Sequence, residues 1–463
     1  MTHIFEPTIL REYDIRGVVG RTLGEADAYA VGRGFGTRLR RAGGTRCAVG
    51  RDGRLTSPML EAALVRGLTE SGVDVVRIGV GPSPMLYFAE ATLEVDGGIQ
   101  VTGSHNPKDD NGFKLVLQRR SFWGDDIRDL ARLAAAGDLE EGAGEVGEAE
   151  MLDAYVGRLF AGYGGGAYRI GWDCGNGAAG PVVERLTKLL PGEHHLLFTE
   201  VDGDFPNHHP DPNEPANLRH LQQVVAEERL DFGLAFDGDG DRIGAVDGRG
   251  RIIWGDQILA LLAEPLLAER PGATIVGDVK SSRALFDRVR ELGGRPLMWR
   301  TGHATIKAAM IETGAPLAGE MSGHIFFGGE YYGFDDALYA AVRLIRAVHM
   351  SGRSMTELID AMPPIERTPD LRITVAEDRK LAVVDEVLAR LEADGVAVDR
   401  TDGARVTTED GWWLLRSSNT QGALTVRAEA GDQAGLARLL ATVEAQLRAS
   451  GVEASLSADP ATI

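Results

Sequence analysis

The stretch CAVGRDGRLTSPMLEAALVRGLTESGVDVVRIG, residues 47–79, contains the unit that decides the fold. An apolar run is followed by a polar turn with glycine, and then by a segment in which Met59, Ala62, Leu64 and Leu68 recur at helical spacing. A second apolar run closes the unit. This order predicts a strand, an amphipathic helix and another strand, from which parallel and mixed sheets are built.

The same unit occurs twice more in the chain. Its other copies are YRIGWDCGNGAAGPVVERLTKLL (168–190) and ATIVGDVKSSRALFDRVRELGGRPLMW (273–299). In each copy an aspartate follows the first strand within a few residues, and these are Asp52, Asp173 and Asp278. The copies share a pattern and not an identical sequence. We therefore predict three related α/β domains with mixed sheets.

Composition indicates where these domains end. Residues 137–151 are rich in acids and glycine, which is typical of an exposed connection, and another boundary follows a predicted hairpin near Ile252. Three prolines in residues 362–370 precede a region with the order strand, helix, strands and helix, which predicts a smaller antiparallel α+β domain. The predicted domains span residues 1–151, 152–252, 253–366 and 367–463.

The composition also excludes several classes of protein. The 463 residues include 49 Lys and Arg against 69 Asp and Glu, a net charge of −20, so we expect neither a nucleic acid nor a membrane surface as partner. Cys47 and Cys174 form no disulfide or zinc pattern. The most apolar helix candidate, residues 257–269, is interrupted by Glu264 and Pro265 and is too short to span a bilayer. With no signal-peptide pattern, these features predict a soluble cytoplasmic protein.

The segment TGSHNP, residues 102–107, follows the apolar run GGIQV. A serine in such a turn is exposed beside backbone N–H groups that can hold an oxyanion or phosphate, so Ser104 is a candidate nucleophile. Glycine, asparagine and proline also form ordinary turns, and the pattern alone favours neither interpretation. Lys114 follows in NGFK, close to the serine in sequence.

The segment AFDGDGDR, residues 235–242, alternates aspartates with glycines. In extended backbone Asp237, Asp239 and Asp241 place their carboxylates on one side, where they can hold a hard divalent cation such as Mg²⁺. An EF-hand loop begins similarly but would require Gly where Arg242 stands and Glu at position 248. Three clustered carboxylates repel each other without a cation, which favours a metal site over a solvated acidic turn.

Two further segments contain polar residues at regular or close spacing. In GEMSGH (319–324), Glu320, Ser322 and His324 alternate, which suits binding of sugar hydroxyls and equally suits structural hydrogen bonding. In LRSSNTQGALTVRAE (415–429), a guanidinium, hydroxyls and loop N–H groups share one turn, with Arg427 after it. That combination fits a phosphate dianion, and by itself it also fits a polar hairpin loop.

In this order, YDIRG (13–17), TGSHNP with NGFK, DGDGDR, GEMSGH and RSSNT resemble the α-D-phosphohexomutase superfamily, and GEMSGH resembles its bacterial phosphomannomutase/phosphoglucomutase group. The resemblance extends from about Arg11 to about Glu429. It implies three similar α/β domains and a C-terminal domain of another fold around a central cleft. Two departures are Arg300, where relatives often have Lys, and the Gly-rich segment GGEYYGFDD (328–336).

The resemblance also implies roles for individual residues. Ser104 would carry the phosphoryl group, and would hold Mg²⁺ together with Asp237, Asp239 and Asp241. The residues that it places in the site with Ser104 are Arg16, His105, Lys114 and His324 as catalytic candidates, and Arg242, Lys280, His303, Glu320, Ser322, His324, Arg416, Ser418, Asn419, Thr420 and Arg427 as substrate-binding candidates. Lys114 is the preferred general acid/base, with His324 second. The basic members are expected to make the cleft locally positive.

The implied activity is reversible phosphoryl transfer between the 1- and 6-positions of mannose or glucose phosphates. A hexose 1,6-bisphosphate would be both intermediate and activator, and would turn over in the cleft while the C-terminal domain closes over it. Two alternatives stay open on the residues alone: a Mg²⁺-dependent sugar-phosphate phosphatase that uses the same serine, and a non-catalytic sugar-phosphate sensor. We expect hexose phosphates as the partners of a monomeric enzyme.

Overall fold

The structure, a computed structural model, describes residues 2–418 and 422–456. Within these residues, three sheets with mixed strand directions are followed by one antiparallel sheet. This arrangement confirms the predicted fold class of three similar mixed α/β units and a C-terminal α+β unit. We refer to the four sheets with their helices as the first to fourth domains.

The first domain has a seven-stranded sheet with the order β1-β5-β4-β2-β3-β7, and β6 pairs with β5. Its elements are β1 Ile15–Val18, α1 Glu25–Arg41, β2 Arg46–Arg51, α2 Ser57–Glu70, β3 Asp74–Val80, α3 Ser83–Thr92, β4 Gly97–Val101, β5 Asp110–Leu117, β6 Arg120–Ser121, α4 Asp125–Ala136 and β7 Val146–Glu148. Strands β4, β2, β3 and β7 are parallel, whereas β1 and β5 are antiparallel to their neighbours. The turn between β4 and β5 therefore lies at the edge where parallel strands end.

The second and third domains repeat this design with fewer strands. The second contains α5 Leu152–Phe160, β8 Tyr168–Asp173, α6 Gly180–Leu186, β9 Gly192–Leu197, α7 Arg219–Glu227, β10 Phe232–Phe236, β11 Ile243–Asp247 and β12 Ile252–Ile253, in the sheet order β12-β11-β10-β8-β9. The third contains α8 Gly255–Glu269, β13 Thr274–Asp278, α9 Arg283–Glu291, β14 Arg295–Trp299, α10 His303–Thr313, β15 Leu317–Gly319, β16 Ile325–Phe327, α11 Ala337–Ser351 and α12 Met355–Asp360, in the order β14-β13-β15-β16.

The fourth domain is built from antiparallel pairs only, among the described strands. Its elements are β17 Glu366–Arg367, β18 Leu371–Thr374, α13 Lys380–Ala393, β19 Val398–Asp399, β20 Ala404–Thr407, β21 Gly411–Ser417, β22 Ala423–Ala430 and α14 Gln433–Ala449. A separate core of aliphatic residues and Trp413 holds this domain together. The second and third domains, by contrast, share one continuous core that includes α3 of the first domain.

The prediction of the buried face of α2 is confirmed for two of its four residues and wrong for the other two. Leu64 and Leu68 are buried, whereas Met59 and Ala62 face solvent. The buried face is rotated because α2 packs closely against α1, where a Cβ on Gly32 would lie 2.3 Å from the Leu64 carbonyl oxygen. Close backbone contact between the two helices thus decides which side is covered.

The predicted interruption of the helix at residues 257–269 is wrong. Helix α8 runs from Gly255 to Glu269 with Pro265 inside it. The buried aliphatic residues from Ile258 to Leu267 pack in the shared core, and that packing outweighs the loss of one helical hydrogen bond at the proline. Across the described residues, no helix is both long and apolar enough to cross a membrane.

Candidate active site

Ser104 lies in the turn between β4 and β5, with a φ of 50°. This left-handed conformation is uncommon for a residue with a side chain, and it is held by a hydrogen bond of 2.8 Å from the Ser104 N–H to Thr102 Oγ1. The Ser104 side chain is buried and not exposed as predicted, because a loop of the second domain packs against this turn. Its hydroxyl donates to Asp237 Oδ2 at 3.1 Å and lies 3.2 Å from His105 Nδ1. The turn therefore directs the serine at an acidic loop of the second domain.

That acidic loop joins β10 and β11 and contains Asp237, Asp239 and Asp241, all fully buried. One oxygen from each lies within 4.8 Å of the others. Burial and repulsion from the other two carboxylates raise the pKa of Asp237 well above its usual range. Asp239 Oδ1 and Asp241 Oδ1 have no hydrogen-bond partner among the described residues, and such oxygens fit a hard divalent cation.

Lys114 projects from β5 into the same cluster. Its Nζ donates to Asp239 Oδ2 at 2.6 Å and also hydrogen-bonds Asp241. Burial alone would lower the pKa of Lys114, but these carboxylates raise it well above its usual range. The lysine charge thus offsets part of the negative charge that the aspartates bring together.

Arg16 reaches the turn of Ser104 from the neighbouring strand. It lies on β1, which pairs with β5, and its Nη1 donates to Asn106 Oδ1 at 2.8 Å. The same guanidinium forms an ion pair with Asp14. The β1–β5 register therefore places a cation against the loop that carries the candidate nucleophile.

His324 and Arg242 connect the acidic loop to the third domain. Arg242 Nε donates to His324 Nε2 at 3.0 Å, so this nitrogen is the acceptor of the ring and Nδ1 carries the hydrogen. Nδ1 lies 3.1 Å from Asp335 Oδ2, and Asp335 is paired with Lys307 at 2.9 Å. Burial would raise the pKa of Asp335, but Lys307 and His324 lower it well below its usual range. Asp335 therefore orients the His324 ring as a buried anion.

The two other predicted histidines are held in neutral form. Burial, together with the charge of Lys307, lowers the pKa of His303 well below its usual value, and its ring centroid lies 5.7 Å from that of His324. Burial and the nearby Arg242 lower the pKa of His105 in the same way. Both rings can accept a hydrogen bond at neutral pH.

The predicted sugar-binding loop lies between β15 and β16. Glu320 is buried, and its Oε1 accepts a hydrogen bond of 2.6 Å from the Gly302 N–H. Burial raises the pKa of this carboxyl. The carbonyl of Ser322 accepts from Asn213 Nδ2 at 2.9 Å, which ties the loop to the second domain.

The predicted phosphate-binding residues of the fourth domain lie against the third. Arg416 Nε donates to Asp402 Oδ2 at 2.9 Å, and the Thr301 N–H donates to the same oxygen at 3.1 Å. Lys280 Nζ lies 2.8 Å from Asp370 Oδ2, and Arg427 lies 4.0 Å from the other oxygen of that carboxylate.

Two of these guanidinium groups have nitrogens without a hydrogen-bond partner in the part of the chain that the structure describes. Arg416 Nη2 and the Nε and Nη2 of Arg427 are buried without a partner among the described residues. Such donors fit a bound anion. The carbonyl of Ser418 accepts from Lys380, while Asn419 and Thr420 lie outside the described residues.

The structure thus places the predicted residues in two connected groups. One surrounds Ser104 and contains Arg16, His105, Lys114, Asp237, Asp239, Asp241, Arg242, His303 and His324. The other contains Lys280 and Arg427, which share Asp370, and Arg416, which pairs with Asp402 and interacts electrostatically with Asp370. Tyr13, whose hydroxyl donates to the Thr301 carbonyl at 2.8 Å, joins the first domain to the third between them.

No sequence motif predicted the acidic partners of these cations. Asp335 lies in the Gly-rich segment 328–336, where the departure from the family pattern was the only signal. Asp370 follows the proline-rich boundary, and Asp402 lies in a polar turn before β20. No local spacing connects these acids to their partners, because each pair depends on how the chain folds back, over 14 residues for Asp402 and Arg416 and over 90 for Lys280 and Asp370.

Comparison with known proteins gives matches along most of the chain. Four family models for phosphoglucomutase/phosphomannomutase match: the alpha/beta/alpha domains I, II and III at residues 7–136, 163–250 and 254–365, and the C-terminal domain at residues 371–446. The phosphomannomutase/phosphoglucomutase of Pseudomonas aeruginosa is 42% identical over 450 residues, which is 97% of each chain. The phosphoglucomutase of Neisseria gonorrhoeae is 42% identical over 442 residues, covering 93% of this chain and 95% of that protein.

A solved structure has the same architecture. The phosphoglucomutase/phosphomannomutase family protein from Burkholderia thailandensis superposes with a TM-score of 0.92 at 43% sequence identity. The match covers 98% of this chain and 100% of that structure.

Proposed function

The chain belongs to the phosphoglucomutase/phosphomannomutase family and is a hexose phosphate mutase, an isomerase; from this premise we propose how it works. We propose reversible phosphoryl transfer between the 1- and 6-positions of glucose or mannose phosphates, through a phosphoserine enzyme and a hexose 1,6-bisphosphate. One observation carries the proposal: a serine hydroxyl held in a strained turn, 3.1 Å from a buried cluster of three aspartates.

Ser104 is the proposed carrier of the phosphoryl group. In the forward step, the free hydroxyl of a hexose phosphate attacks phosphorus, the bond from phosphorus to Ser104 Oγ breaks, and a hexose 1,6-bisphosphate forms. In the return step the serine takes the other phosphoryl group, which leaves the isomeric monophosphate. Arg16, Lys114 and Arg242 lie around this position, where their charges offset negative charge on the transferring oxygens.

Asp237, Asp239 and Asp241 are the proposed ligands of Mg²⁺, together with the seryl phosphate. Their two unpartnered, buried carboxylate oxygens support this assignment. When bound, the ion supplies electrostatic stabilisation of the phosphoryl oxygens. The protein holds the Asp237 carboxylate for it by hydrogen bonds from the Asp241 and Arg242 N–H groups to Asp237 Oδ1, each 3.1 Å long.

For the proton of the sugar hydroxyl, we propose His324 as acceptor, ahead of Lys114. What supports His324 is the tautomer: Nδ1 lies 3.1 Å from Asp335 and carries the hydrogen, so the lone pair is on Nε2. That lone pair now accepts from Arg242 Nε, and the sugar hydroxyl would replace this donor. Lys114 is instead engaged by two carboxylates and carries a full positive charge. Its proposed role is to neutralise the transferring group.

The non-reacting phosphate is proposed to bind in the fourth domain. Arg416, Ser418, Asn419, Thr420 and Arg427 would hold it, with Lys280 from the third domain. The guanidinium nitrogens of Arg416 and Arg427 that have no hydrogen-bond partner among the described residues support this subsite. Glu320, Ser322 and His303 would contact sugar hydroxyls, and the bisphosphate would turn over so that its two phosphates exchange places.

The experiment is an isomerisation assay with two products followed at once. Glucose 1-phosphate, and separately mannose 1-phosphate, is supplied with Mg²⁺ and a trace of the matching 1,6-bisphosphate, and both the 6-phosphate and inorganic phosphate are measured. We expect 6-phosphate as the main product, and Ser104→Ala to lower its formation at least about a thousandfold with unchanged unfolding temperature. Ser351→Ala, at the end of α11, is the matched control. Steady phosphate release without 6-phosphate would overturn the proposal in favour of a phosphatase.

A further inference from the structure

Arg54 lies beneath the turn that carries Ser104 and is 1% exposed. Its Nη2 donates to the carbonyls of Ser104 and Asn106, each at 2.7 Å. Its Nη1 donates to the carbonyls of Pro107 and Asp110, at 2.5 and 2.9 Å. One side chain therefore binds four carbonyl oxygens of a single turn.

The guanidinium is itself fixed from two directions. Asp52 Oδ2 lies 3.2 Å from Arg54 Nε and also accepts a hydrogen bond of 3.2 Å from the Gly103 N–H. On the other side, the ring of Phe205, from the second domain, lies 5.2 Å from the guanidinium carbon. Arg54 is thus held by the strand end of the first domain and covered by a segment of the domain that supplies the acidic loop.

The close approach of the turn to Arg54 depends on a glycine. A Cβ on Gly103 would lie 2.5 Å from the Arg54 guanidinium carbon and 2.7 Å from the Asp110 carbonyl oxygen. The next residue, Ser104, has the left-handed φ of 50°. Bonds from Arg54 to the carbonyls of this strained residue and of those after it supply the restraint that such a conformation requires.

We propose that Arg54 is a positioning residue for phosphoryl transfer, which fixes the Ser104 turn so that the seryl phosphate reaches a sugar hydroxyl and not water. The inference rests on the proposed function, because it presupposes that Ser104 carries the phosphoryl group. Arg54 faces backbone carbonyls and Asp52, so it contacts neither phosphate nor sugar in this arrangement.

The reason for this assignment is geometric. A nucleophile or phosphoryl donor displaced by about 1 Å loses about a hundredfold in rate. When the turn is loose, water can attack phosphorus, the bond to Ser104 Oγ breaks, the serine recovers its proton, and inorganic phosphate leaves. A loosened turn should therefore lower the rate of phosphoryl transfer to sugar relative to the rate of transfer to water. Loss of fold stability alone does not change this ratio.

The test uses Arg54→Lys, which keeps the charge but cannot bind four carbonyls at once. We expect kcat for isomerisation to fall at least about tenfold, KM for the hexose 1-phosphate to change less than about threefold, and phosphate released per isomerisation to rise at least about fivefold. Arg343→Lys is the matched control, since Arg343 is another buried arginine, 5% exposed, in helix α11 of the third domain. It should leave the ratio of the two products unchanged.

A second variant covers the case in which Arg54→Lys does not fold. Asp52→Asn keeps the shape of the side chain but removes the anion beside Arg54, and it should raise the phosphate-to-isomerisation ratio in the same direction. A folded Arg54→Lys with the wild-type product ratio would overturn the inference, as would an equal rise in the ratio for Arg343→Lys. Failure of the proposed function is a different result, because wild type would then not isomerise or Ser104→Ala would stay active.

Discussion

His324 shows how a single buried anion can decide what a histidine does. Its Nδ1 faces Asp335 and its Nε2 accepts from Arg242, so the two nitrogens have different roles before any substrate arrives. His303 lies beside it without an equivalent pairing: its Nδ1 is 3.9 Å from the same carboxylate. The two histidines lie in similar loops in the sequence, but only His324 is close enough to Asp335 for the carboxylate to orient its ring.

Asp335→Asn is expected to reduce activity through His324. An amide at this position no longer stabilises a charged imidazolium, so kcat should fall about 10- to 100-fold while KM changes less than about threefold. The measurement is steady-state isomerisation with both hexose 1-phosphates. Asp336→Asn is the control, because Asp336 caps α11 and bonds Tyr155 and Tyr331 away from His324. An unchanged kcat in folded Asp335→Asn would remove His324 from the proposed proton transfer.

His208 gives a prediction about pH and stability. Burial lowers its pKa, but hydrogen bonding to Asp173 at 3.0 and 3.1 Å outweighs burial and raises the pKa above the usual 6.5. A raised folded-state pKa means that the pair stabilises the fold fully below about pH 6.5, and that this contribution is lost as pH rises through the folded-state pKa.

His208→Gln should therefore lower the free energy of unfolding more at pH 5.5 than at pH 9. The expected loss at the lower pH is about 1.5–3 kcal/mol, the range for a hydrogen bond to a charged group. Denaturant unfolding at both pH values measures it, with exposed His349→Gln as control. Equal losses at the two pH values would show that the charged form of His208 contributes no stability.

At the scale of elements, the repeated strand–turn–helix unit could be predicted from the sequence, because the hydrogen bonds that define its turn join residues close together in the chain. The three aspartates at strand ends each accept a bond from a residue two or three positions later: Arg54 N–H to Asp52, Gly175 N–H to Asp173, and Ser281 hydroxyl to Asp278. Spacing along the chain reveals such bonds. The hydrogen bonds of Arg54 to the Ser104 turn could not be predicted from the sequence, because they join residues that are about 50 positions apart.

The two loops that meet at Ser104 also depend on a glycine. A Cβ on Gly238 would lie 2.5 Å from the Ser104 carbonyl oxygen, so the acidic loop packs against the serine turn through bare backbone. Gly238→Ala should push these loops apart and lower kcat about a hundredfold. Gly157→Ala in α5 is the control, because a Cβ added there would have no neighbour within 4 Å among the described residues, and alanine favours a helix. Activity near wild type for Gly238→Ala would show that the loops can shift without consequence.

At the scale of the whole molecule, the chain has a net charge of −20, and carboxylates also lie beside the cations of the candidate active site. Lys280, Arg416 and Lys114 each pair with a carboxylate, so the positive charge expected from the sequence is partly offset. The sequence identified these cations and the aspartates that pair with Lys114, but not Asp370 and Asp402, which only the fold brings to Lys280 and Arg416. A phosphate entering this site must therefore compete with Asp370 and Asp402 for its donors.

The fourth domain meets the third at a small apolar cluster of Val279, Trp412 and Leu414. Beside it, Arg405 donates to the Val279 and Ser281 carbonyls at 2.8 and 3.2 Å, with its guanidinium carbon 3.9 Å from the Trp412 ring centroid. Because the fourth domain has its own core, this junction can change without unfolding either side.

Arg405→Ala should weaken substrate binding through this junction. The segment that Arg405 binds, Val279–Ser281, contains Lys280. Without Arg405 this segment can move away from the fourth domain, which increases the distance between Lys280 and Arg427 in the proposed phosphate subsite. We expect KM for the hexose 1-phosphates to rise about tenfold, equivalent to about 1.4 kcal/mol of binding, with a smaller change in kcat. Steady-state kinetics measures this, and Arg438→Ala on the exposed face of α14 is the control. If KM stays at the wild-type value while the variant is folded, the junction does not set the distance between the two halves of the subsite.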